Sequence, residues 1–332
     1  MAYRLSLLDK SPVADGESPS QALARTLELA KRAEEWGFHR FWLAEHHNTL
    51  ALASPAPEVL IAWILAHTRR LRVGSGGVML QHYSPYKVAE NFNLLASLAP
   101  GRVDLGVGKA PGGLPLATRA LQQGLHQAEK GDFAAQLEQL DRWLRPDNSA
   151  PQQDKLQATP LPSQPAQRFL LGASENSARL AASLDWQFVF AAHINGDIDE
   201  LARSLEAYHR HSGGQRALLA VQVITTDCAA EAERLASDLQ HYRVQTADGQ
   251  SVTVGSLEQA DAFIRQSGAE NYRIEPRVSS VIKGNASEVH QQLDALQRRF
   301  NIDEFIIDTP VSDGYRRIRS LELLAGHQLA TA

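Results

Sequence analysis

Cysteine is almost missing from this chain, since Cys228 is the only one. A single cysteine excludes an intrachain disulfide and a thiol-rich metal site. Long apolar runs are also missing: the most apolar helical segment, Val59 to Ala66, is too short to cross a bilayer. The sequence shows no secretory leader before the first apolar stretch, Tyr3 to Leu8. We therefore expect a cytoplasmic protein that does not span a membrane.

Charge of one sign does not dominate either. The chain has 33 lysines and arginines against 38 aspartates and glutamates, a net charge of −5. Nucleic acids and anionic membranes attract basic surfaces, so this balance gives no electrostatic case for either partner. The hydrophobic share of 43% and the charged share of 21% are ordinary for a soluble globular protein.

Strand-like and helix-like patterns alternate along the whole chain. Amphipathic helical patterns, such as Ser20 to Trp36 before Gly37, separate short apolar segments that predict strands. The predicted strands are Tyr3–Leu8, Phe38–Ala44, Leu71–Leu80, Val103–Gly108, Phe169–Gly172, Phe188–Ala192, Leu218–Thr225 and Glu304–Asp308. This α/β alternation predicts a closed (β/α)8 TIM barrel, with residues 1–332 as a single domain. An open, doubly wound sheet is the alternative.

Two segments are longer than ordinary connections, and we interpret them as insertions into the barrel. Residues 112–167 follow the fourth strand and contain one helical pattern, Phe133 to Leu144, before a proline-rich run that indicates an extended surface crossing. Residues 240–284 follow the helix after the seventh strand and are polar, with short strand-like pieces such as Ser251–Val254. The second insertion is either a lid near the active face or a tolerated excursion.

The second strand ends on groups that can hold or move protons: Glu45, His46 and His47. Parallel barrels carry their chemistry at this end of the strands. Three interpretations stay open: structural histidines, a metal site, or one histidine that faces the barrel mouth and handles a proton. Adjacent side chains on a strand point to opposite sides, so His46 and His47 are poor ligands for one ion. For the same reason only one of them can face the barrel axis.

Three glycines lie within the third strand, at Gly74, Gly76 and Gly77. Glycine inside a strand usually marks a bulge or the close approach of a ligand or another backbone. We expect either a flat, bulky ligand against bare main chain or tight packing of the protein itself.

A candidate anion site follows the fourth and fifth strands. Lys109 ends the fourth strand, and Ser174-Glu175-Asn176-Ser177 opens the helix after the fifth. Free N–H groups in the first turn of a helix, together with two hydroxyls, suit a phosphate. An ordinary serine N-cap explains Ser174 as well. Because the two strands adjoin in a barrel, we expect the lysine and the helix start to converge on one anion.

Several blocks in order resemble the bacterial luciferase-like flavin monooxygenase family, in its single-chain oxidoreductase branch. The blocks cover almost the whole chain: LSLLDKSPV, WGFHRFWLAEHHN, RVGSGGVMLQHYSPYKVAENFNLLASLAPGRVDLGVGKAPG, LLGASENSARLAA, DEFIIDTP and SLELLAG. The resemblance implies a (β/α)8 barrel, usually dimeric, that uses reduced FMN and molecular oxygen.

By position, the resemblance assigns roles to individual residues. His46 matches the family's catalytic histidine beside the flavin. Gly76 and Gly77 match the strand backbone, often containing an unusual peptide, that lies along the isoalloxazine ring. Lys109 falls where the family commonly has an arginine at the flavin phosphate. The start of the phosphate-binding helix is matched by Ser174, Glu175 and Ser177.

Two positions depart from the family's pattern. Lysine lacks the bidentate fork of arginine, so Lys109 implies looser phosphate binding. Gly108 occupies the place where light-emitting members carry a reactive cysteine, which argues against bioluminescence.

We therefore predict an FMN-dependent, two-component monooxygenase of a small organic substrate. Reduced flavin and oxygen carry the chemistry, while the protein excludes water and supplies His46, a histidine of near-neutral pKa, to donate or accept a proton. One phosphate site favours FMN over a dinucleotide flavin. The sequence lacks a nicotinamide fingerprint, which indicates that a separate flavin reductase supplies the reduced cofactor.

Two alternatives stay open. One is a metal-dependent barrel hydrolase that uses Glu45, His46 and His47, and the other is a flavin-binding partner subunit without turnover. The sequence also predicts a homodimer, because the helix from Pro57 to His67 is apolar on most sides, more than one barrel face should bury. The following helix would complete the interface, as the resemblance also implies.

Overall fold

The computed structural model describes residues 3–125, 130–145, 156–247, 249, 251–277 and 280–330. In chain order the strands are β1 (Arg4–Asp9), β2 (Arg40–Leu43), β3 (Arg72–Ser75), β4 (Val78–Met79), β5 (Val103–Gly108), β6 (Gln167–Gly172), β7 (Gln187–Ala191), β8 (Leu218–Thr225), β9 (His241–Thr246), β10 (Ser251–Val254), β11 (Tyr272–Arg277), β12 (Val281–Gly284) and β13 (Glu304–Asp308). The α-helices are α1 (Pro19–Glu35), α2 (Pro57–His67), α3 (Pro85–Leu98), α4 (Pro115–Leu121), α5 (Phe133–Leu144), α6 (Glu175–Ser183), α7 (Ile198–His211), α8 (Ala229–Ser237), α9 (Leu257–Ser267), α10 (Ala286–Phe300) and α11 (Gly314–Ala330).

Eight of these strands close into a barrel. They are parallel and pair in the order β1-β2-β3-β5-β6-β7-β8-β13, and β13 returns to β1. The predicted (β/α)8 barrel is therefore confirmed, and the open doubly wound sheet is excluded. Each predicted strand corresponds to a barrel strand, and three keep their predicted bounds: Val103–Gly108, Leu218–Thr225 and Glu304–Asp308.

Local signals set the ends of the outer helices. Ser18 caps α1 and forms a capping box with Gln21, and Gly37 follows the helix at a φ of 80°. Pro85 opens α3, and the Ser84 hydroxyl before it makes no capping hydrogen bond. No helix within the described residues is long and apolar enough to cross a membrane.

Buried charges occupy the N-terminal ends of the barrel strands. Arg40 donates from Nη1 to Asp104 Oδ2 at 2.9 Å and from Nε to Glu304 Oε1 at 2.8 Å. Trp42 Nε1 donates to the same Asp104 oxygen at 3.0 Å, and Arg72 Nε donates to the other at 3.0 Å. This network, which we call the floor of the barrel, ties β2, β3, β5 and β13 together.

The third predicted strand, Leu71–Leu80, is broken in two. The break lies between β3 and β4 at Gly76 and Gly77, whose peptide bond is cis, and a 3-10 helix follows at Leu80–His82. A Cβ built on Gly76 would lie 2.8 Å from Leu8 Cδ1, and one on Gly77 would lie 2.9 Å from the Gly106 carbonyl oxygen. The backbone of Gly106 therefore leaves no room for a side chain at Gly77, whereas at Gly76 the Leu8 side chain would have to shift.

The two predicted insertions carry structure of their own. In the first, α4 and α5 follow β5; the proline-rich run continues to a cis Thr159–Pro160 bond, while Pro146 and Pro151 lie outside the described residues. In the second, β10, β9 and β11 form an antiparallel sheet on which α9 packs. Gln266 on α9 accepts a hydrogen bond from the Leu116 N–H at 3.0 Å. The second insertion thus crosses from the β8 side of the barrel to the β5 side.

Candidate active site

The opposite end of the barrel, at the C-termini of the strands, is the mouth, and the segment after β2 enters it. Its backbone is held by neighbouring loops: the His46 N–H donates to the Ser54 carbonyl at 2.9 Å, and the His47 N–H donates to the Gly112 carbonyl at 2.7 Å. The Ser54 hydroxyl donates in turn to the Ala44 carbonyl at 2.6 Å. The two histidines therefore occupy fixed positions although β2 itself ends at Leu43.

His46 faces the polar groups of the mouth. Its Nδ1 atom is buried without a hydrogen-bond partner, and Lys10, Asp308 and His193 are close enough to affect its charge. Burial, aided by the Lys10 ammonium, lowers the pKa of His46 to about 4. The expected near-neutral pKa is therefore wrong for the ligand-free barrel, in which His46 is uncharged at neutral pH.

His47 belongs to a different group of side chains. Its Nε2 lies 2.7 Å from Glu45 Oε1, which also accepts from the Tyr83 hydroxyl at 2.7 Å. The second Glu45 oxygen accepts from the Met79 N–H at 3.0 Å. Glu45 thus orients His47 and links the segment after β2 to β4.

This separation bears on the metal hypothesis. The Glu45 carboxylate and the His47 ring are hydrogen-bonded to each other, whereas His46 lies near Lys10 and Asp308. Over the described residues, no group of three or more histidine, cysteine, aspartate or glutamate side chains could hold a metal ion. Within those residues, the three side chains that the hydrolase alternative requires do not converge on one ion.

An ion pair at the mouth went unrecognised in the sequence. Lys10 Nζ donates to Asp308 Oδ2 at 2.7 Å, which joins the ends of β1 and β13. Burial alone would raise the pKa of Asp308, but the Lys10 ammonium outweighs it and lowers this pKa to about 2. Gln222 Nε2 donates to the same oxygen at 3.3 Å, while Gln222 Oε1 is buried without a partner.

Two further histidines face this ion pair, and neither was predicted. His193 follows β7, and its Nδ1 is buried without a partner. Burial and the Lys10 charge lower its pKa to about 4. Burial and Lys10 also lower the pKa of His241, which opens β9 in the second insertion. The only sequence signal for this cluster was polar residues at strand ends.

The predicted anion site has its parts at two adjacent strands. Lys109 is exposed directly after β5, and Ser174 caps α6 after the neighbouring β6. The Ser174 hydroxyl accepts from the Ser177 N–H at 3.3 Å and lies 3.1 Å from the Ser177 hydroxyl. The two parts thus follow neighbouring strands, the ordinary N-cap is present, and the convergence of Lys109 and the helix start on one anion stays a prediction.

Glu175 differs from what we expected. Its N–H donates to Glu200 Oε1 at 3.0 Å, so a carboxylate from α7 already occupies the first donor of the helix. Its own side chain pairs with Arg179. The Asn176 N–H has no partner in the part of the chain that the structure describes. An anion here would therefore find one backbone donor fewer, with Glu200 beside it.

Comparisons with known proteins point to one family. The family described as "Luciferase-like monooxygenase" matches residues 3–299. The N-acetyl-S-alkylcysteine monooxygenase of Bacillus subtilis (strain 168) is 42% identical over 331 residues and covers 98% of each chain. A luciferase-like monooxygenase of Escherichia coli (strain K12) is 33% identical, with 96% of this chain and 95% of that one covered. The solved structure of apo-MsnO8 is 31% identical, with a TM-score of 0.77 and coverage of 98% and 97%.

Proposed function

The chain belongs to the luciferase-like monooxygenase family, and from this membership we propose that it is the oxygenase of a two-component system. The predicted flavin-dependent monooxygenase of this family is confirmed at that level. In the proposal the enzyme works in the cytoplasm, takes reduced FMN from a separate flavin reductase and uses molecular oxygen to oxidise a small organic substrate. Reduced FMN, when bound, would supply the electrons that activate oxygen.

His46 is the observation that carries the proposal. A buried polar nitrogen without a protein partner is rare and calls for a ligand, and His46 Nδ1 is such an atom. Nδ1 is therefore the ring nitrogen that a ligand would have to satisfy. An uncharged imidazole can accept a proton there or hold the oxygen atom being transferred by a hydrogen bond. Because its pKa is lowered, His46 is uncharged at neutral pH and can accept a proton, whereas it holds no imidazolium proton to donate.

The residues that follow β5 and β6 fit a phosphate, although the Glu200 carboxylate lies beside them. The exposed Lys109 ammonium, the Asn176 N–H and the hydroxyls of Ser174 and Ser177 would hold it. Glu200 would have to yield or share the Glu175 N–H, since two anions repel at this distance. We propose that Lys109 offsets this repulsion.

Gly76 and Gly77 would face the flavin with bare main chain. Both glycines pack closely against Leu8, Trp42 and Gly106, so the conformation is built without the cofactor. A site formed in advance needs no ordering of the strand when the ring binds, which favours affinity.

The relative from Bacillus subtilis suggests the substrate. Its name assigns N-acetyl-S-alkylcysteine to an enzyme 42% identical to this chain over nearly its full length. We propose that this enzyme also oxidises S-substituted N-acetylcysteines, which are small thioethers with a carboxylate and an amide.

A single-turnover experiment tests the proposed function. Protein loaded with chemically reduced FMN is mixed with isotope-labelled oxygen and N-acetyl-S-benzylcysteine, and the product is analysed by mass spectrometry. We expect one labelled oxygen atom in an organic product and the other in water. FMN binding without labelled product from any thioether would indicate the non-catalytic partner subunit instead. Failure to bind FMN would overturn the proposal as a whole.

We also propose a homodimer built on α2 and α3. Large apolar side chains stay exposed on these helices in the single chain: 64% for Val59, 40% for Trp63, 49% for Leu94 and 68% for Leu98. Such a patch is typical of a surface that another copy covers. Sedimentation should show a dimer at micromolar concentration that Trp63→Glu dissociates and the control Leu257→Glu, on α9, does not. A monomeric wild-type protein would contradict the proposal.

A further inference from the structure

Lys10 and Asp308 form an ion pair whose two ends are not equally accessible. The Asp308 side chain is 2% exposed, whereas that of Lys10 is 27% exposed. The carboxylate is thus enclosed at the end of β13, and the ammonium covers it from the mouth. A ligand that enters the mouth therefore meets the positive end of the pair only.

The other polar groups around this pair carry no charge that would repel an anion. Three histidines lie close enough to Lys10 and Asp308 for these two charges to affect their pKa values. They are His46 after β2, His193 in the loop after β7 and His241 on β9. The pKa values of all three are lowered, so they are neutral in the ligand-free mouth. A bound anion would favour proton uptake by any of them, whereas a bound cation would face the Lys10 ammonium.

The donors at this position are not used up within the protein. An ammonium has three N–H donors, and among the residues that the structure describes Lys10 donates to one acceptor, Asp308 Oδ2. His193, whose charge state Lys10 affects, has a buried Nδ1 without a partner, and this atom donates in one of the two tautomers of the neutral ring. Donors left in a protected mouth favour an acceptor-rich ligand, and a carboxylate offers two oxygens for them.

The position also avoids the site assigned to the flavin phosphate. Lys109 and Ser174 follow β5 and β6, whereas Lys10 and Asp308 close β1 and β13. In the barrel order, β1 and β13 lie across from β5 and β6. Two anions could therefore bind in the same mouth on opposite walls, with the space over the barrel axis between them.

From these contacts we propose that Lys10, held by Asp308 and flanked by His193, binds a carboxylate group of the organic substrate. The substrate class is then small acids rather than neutral or cationic thioethers. This inference rests on the proposed function, which places the substrate in this mouth. His241 on β9 is affected by the charges of the same ion pair, so we expect the second insertion to take part in recognising the acid.

Equilibrium binding tests the subsite apart from turnover. N-acetyl-S-benzylcysteine and its methyl ester, which lacks the charge, are titrated into the FMN-loaded enzyme and into the flavin-free enzyme by calorimetry. We expect the wild-type protein to bind the acid at least about tenfold more tightly than the ester, because a charge-assisted contact is lost in the ester. Lys10→Gln should weaken binding of the acid by about ten- to hundredfold and change binding of the ester little.

Two further variants keep the test decisive. Lys10→Gln leaves Asp308 as an unpaired buried carboxylate, so Lys10→Gln/Asp308→Asn removes both charges and should lose the preference for the acid without that penalty. Lys87→Gln, a lysine exposed on α3, should bind as wild type does. Equal binding of acid and ester by the wild type, binding of neither, or a preference that survives in the double variant would overturn the subsite. Failure to load FMN would instead count against the proposed function, and the flavin-free titration would still decide the subsite.

Discussion

The two ends of the barrel use polar side chains in opposite ways. At the floor, the charges are paired within the protein: Arg40 bridges Asp104 and Glu304, and Arg72 adds hydrogen bonds to Asp104. The remaining Glu304 oxygen, Oε2, has no hydrogen bond but lies 3.5 Å from an Arg4 nitrogen. The floor is therefore a closed network that holds four strands in register.

The mouth is left incomplete by comparison. His46 Nδ1, His193 Nδ1 and Gln222 Oε1 are buried and lack hydrogen-bond partners. Burying polar atoms without partners costs free energy, so the fold retains them where a ligand can use them. We propose that polar groups at the floor serve stability and that those at the mouth serve binding and chemistry, the division expected of the two faces of a TIM barrel.

Replacing one histidine at the mouth should produce the largest effect. His46→Ala removes a group that handles a proton, so the single-turnover rate should fall by about 10²- to 10⁴-fold while FMN still binds. His47→Ala removes a contact to Glu45 behind the mouth and should reduce the rate much less. Rapid mixing of reduced, FMN-loaded variants with oxygen and substrate measures both. An equal loss, or a loss confined to His47→Ala, would show that His46 is the wrong histidine.

Breaking the floor should reduce stability rather than chemistry. Asp104→Ala leaves Arg40 and Arg72 without their shared carboxylate, which should lower the free energy of unfolding by about 3–5 kcal/mol. Asp227→Ala is the matched control, because Asp227 also pairs with an arginine, Arg319, but is exposed, and it should cost less than about 1 kcal/mol. Urea unfolding gives both values. Similar losses in the two variants would mean that the floor network is no more important than a surface ion pair.

Substitutions at the phosphate site should have a smaller effect, and they should change FMN affinity in opposite directions. Lys109→Ala and Ser174→Ala each remove a charge-assisted contact, so FMN affinity should fall by about ten- to hundredfold. Glu200→Gln removes the carboxylate beside the helix start and should tighten FMN binding instead. Fluorescence titration of FMN compares the three variants. Unchanged affinity in both Lys109→Ala and Ser174→Ala would place the phosphate elsewhere.

The sequence predicted the parts of the fold that local patterns determine. Short apolar segments between capped amphipathic helices identified all eight barrel strands. The third strand was predicted too long, because it breaks at Gly76 and Gly77. There the chain packs closely against Leu8 and Gly106, which lie far away in sequence. A histidine pair at the end of β2 is a local signal, and the family resemblance singled out His46 from that pair.

The partners of His46 could not be found in that way. Lys10 and Asp308 are 298 positions apart, and only closure of the barrel brings β1 beside β13. His193 lies in a loop whose sequence carries no motif. The Glu200 carboxylate at the start of α6 was missed for the same reason, since the packing of α7 on α6 decides it.

The smallest predicted effect is on the pH dependence of the free energy of unfolding, and it arises from two histidines at the mouth. The pKa values of His46 and His193 are about 4 in the folded protein, against about 6.5 in an unfolded chain. Between these values the unfolded chain binds more protons, so the free energy of unfolding should fall as the pH drops from about 6.5 to 4. Each histidine contributes at most about 1.4 kcal/mol per pH unit, and less because both residues are partly exposed.

Urea unfolding across this range should therefore give a flatter profile for His46→Gln/His193→Gln than for the wild type, and the curves should run parallel above about pH 6.5. Asp308, with its pKa lowered to about 2, loses its contribution only below about pH 4, outside the window. His39, whose burial also lowers its pKa to about 4, is common to both proteins and cancels in the difference. The exposed His209→Gln should follow the wild type. Parallel profiles throughout would mean that the two mouth histidines titrate normally, and that the ligand-free mouth is more polar than its contacts indicate.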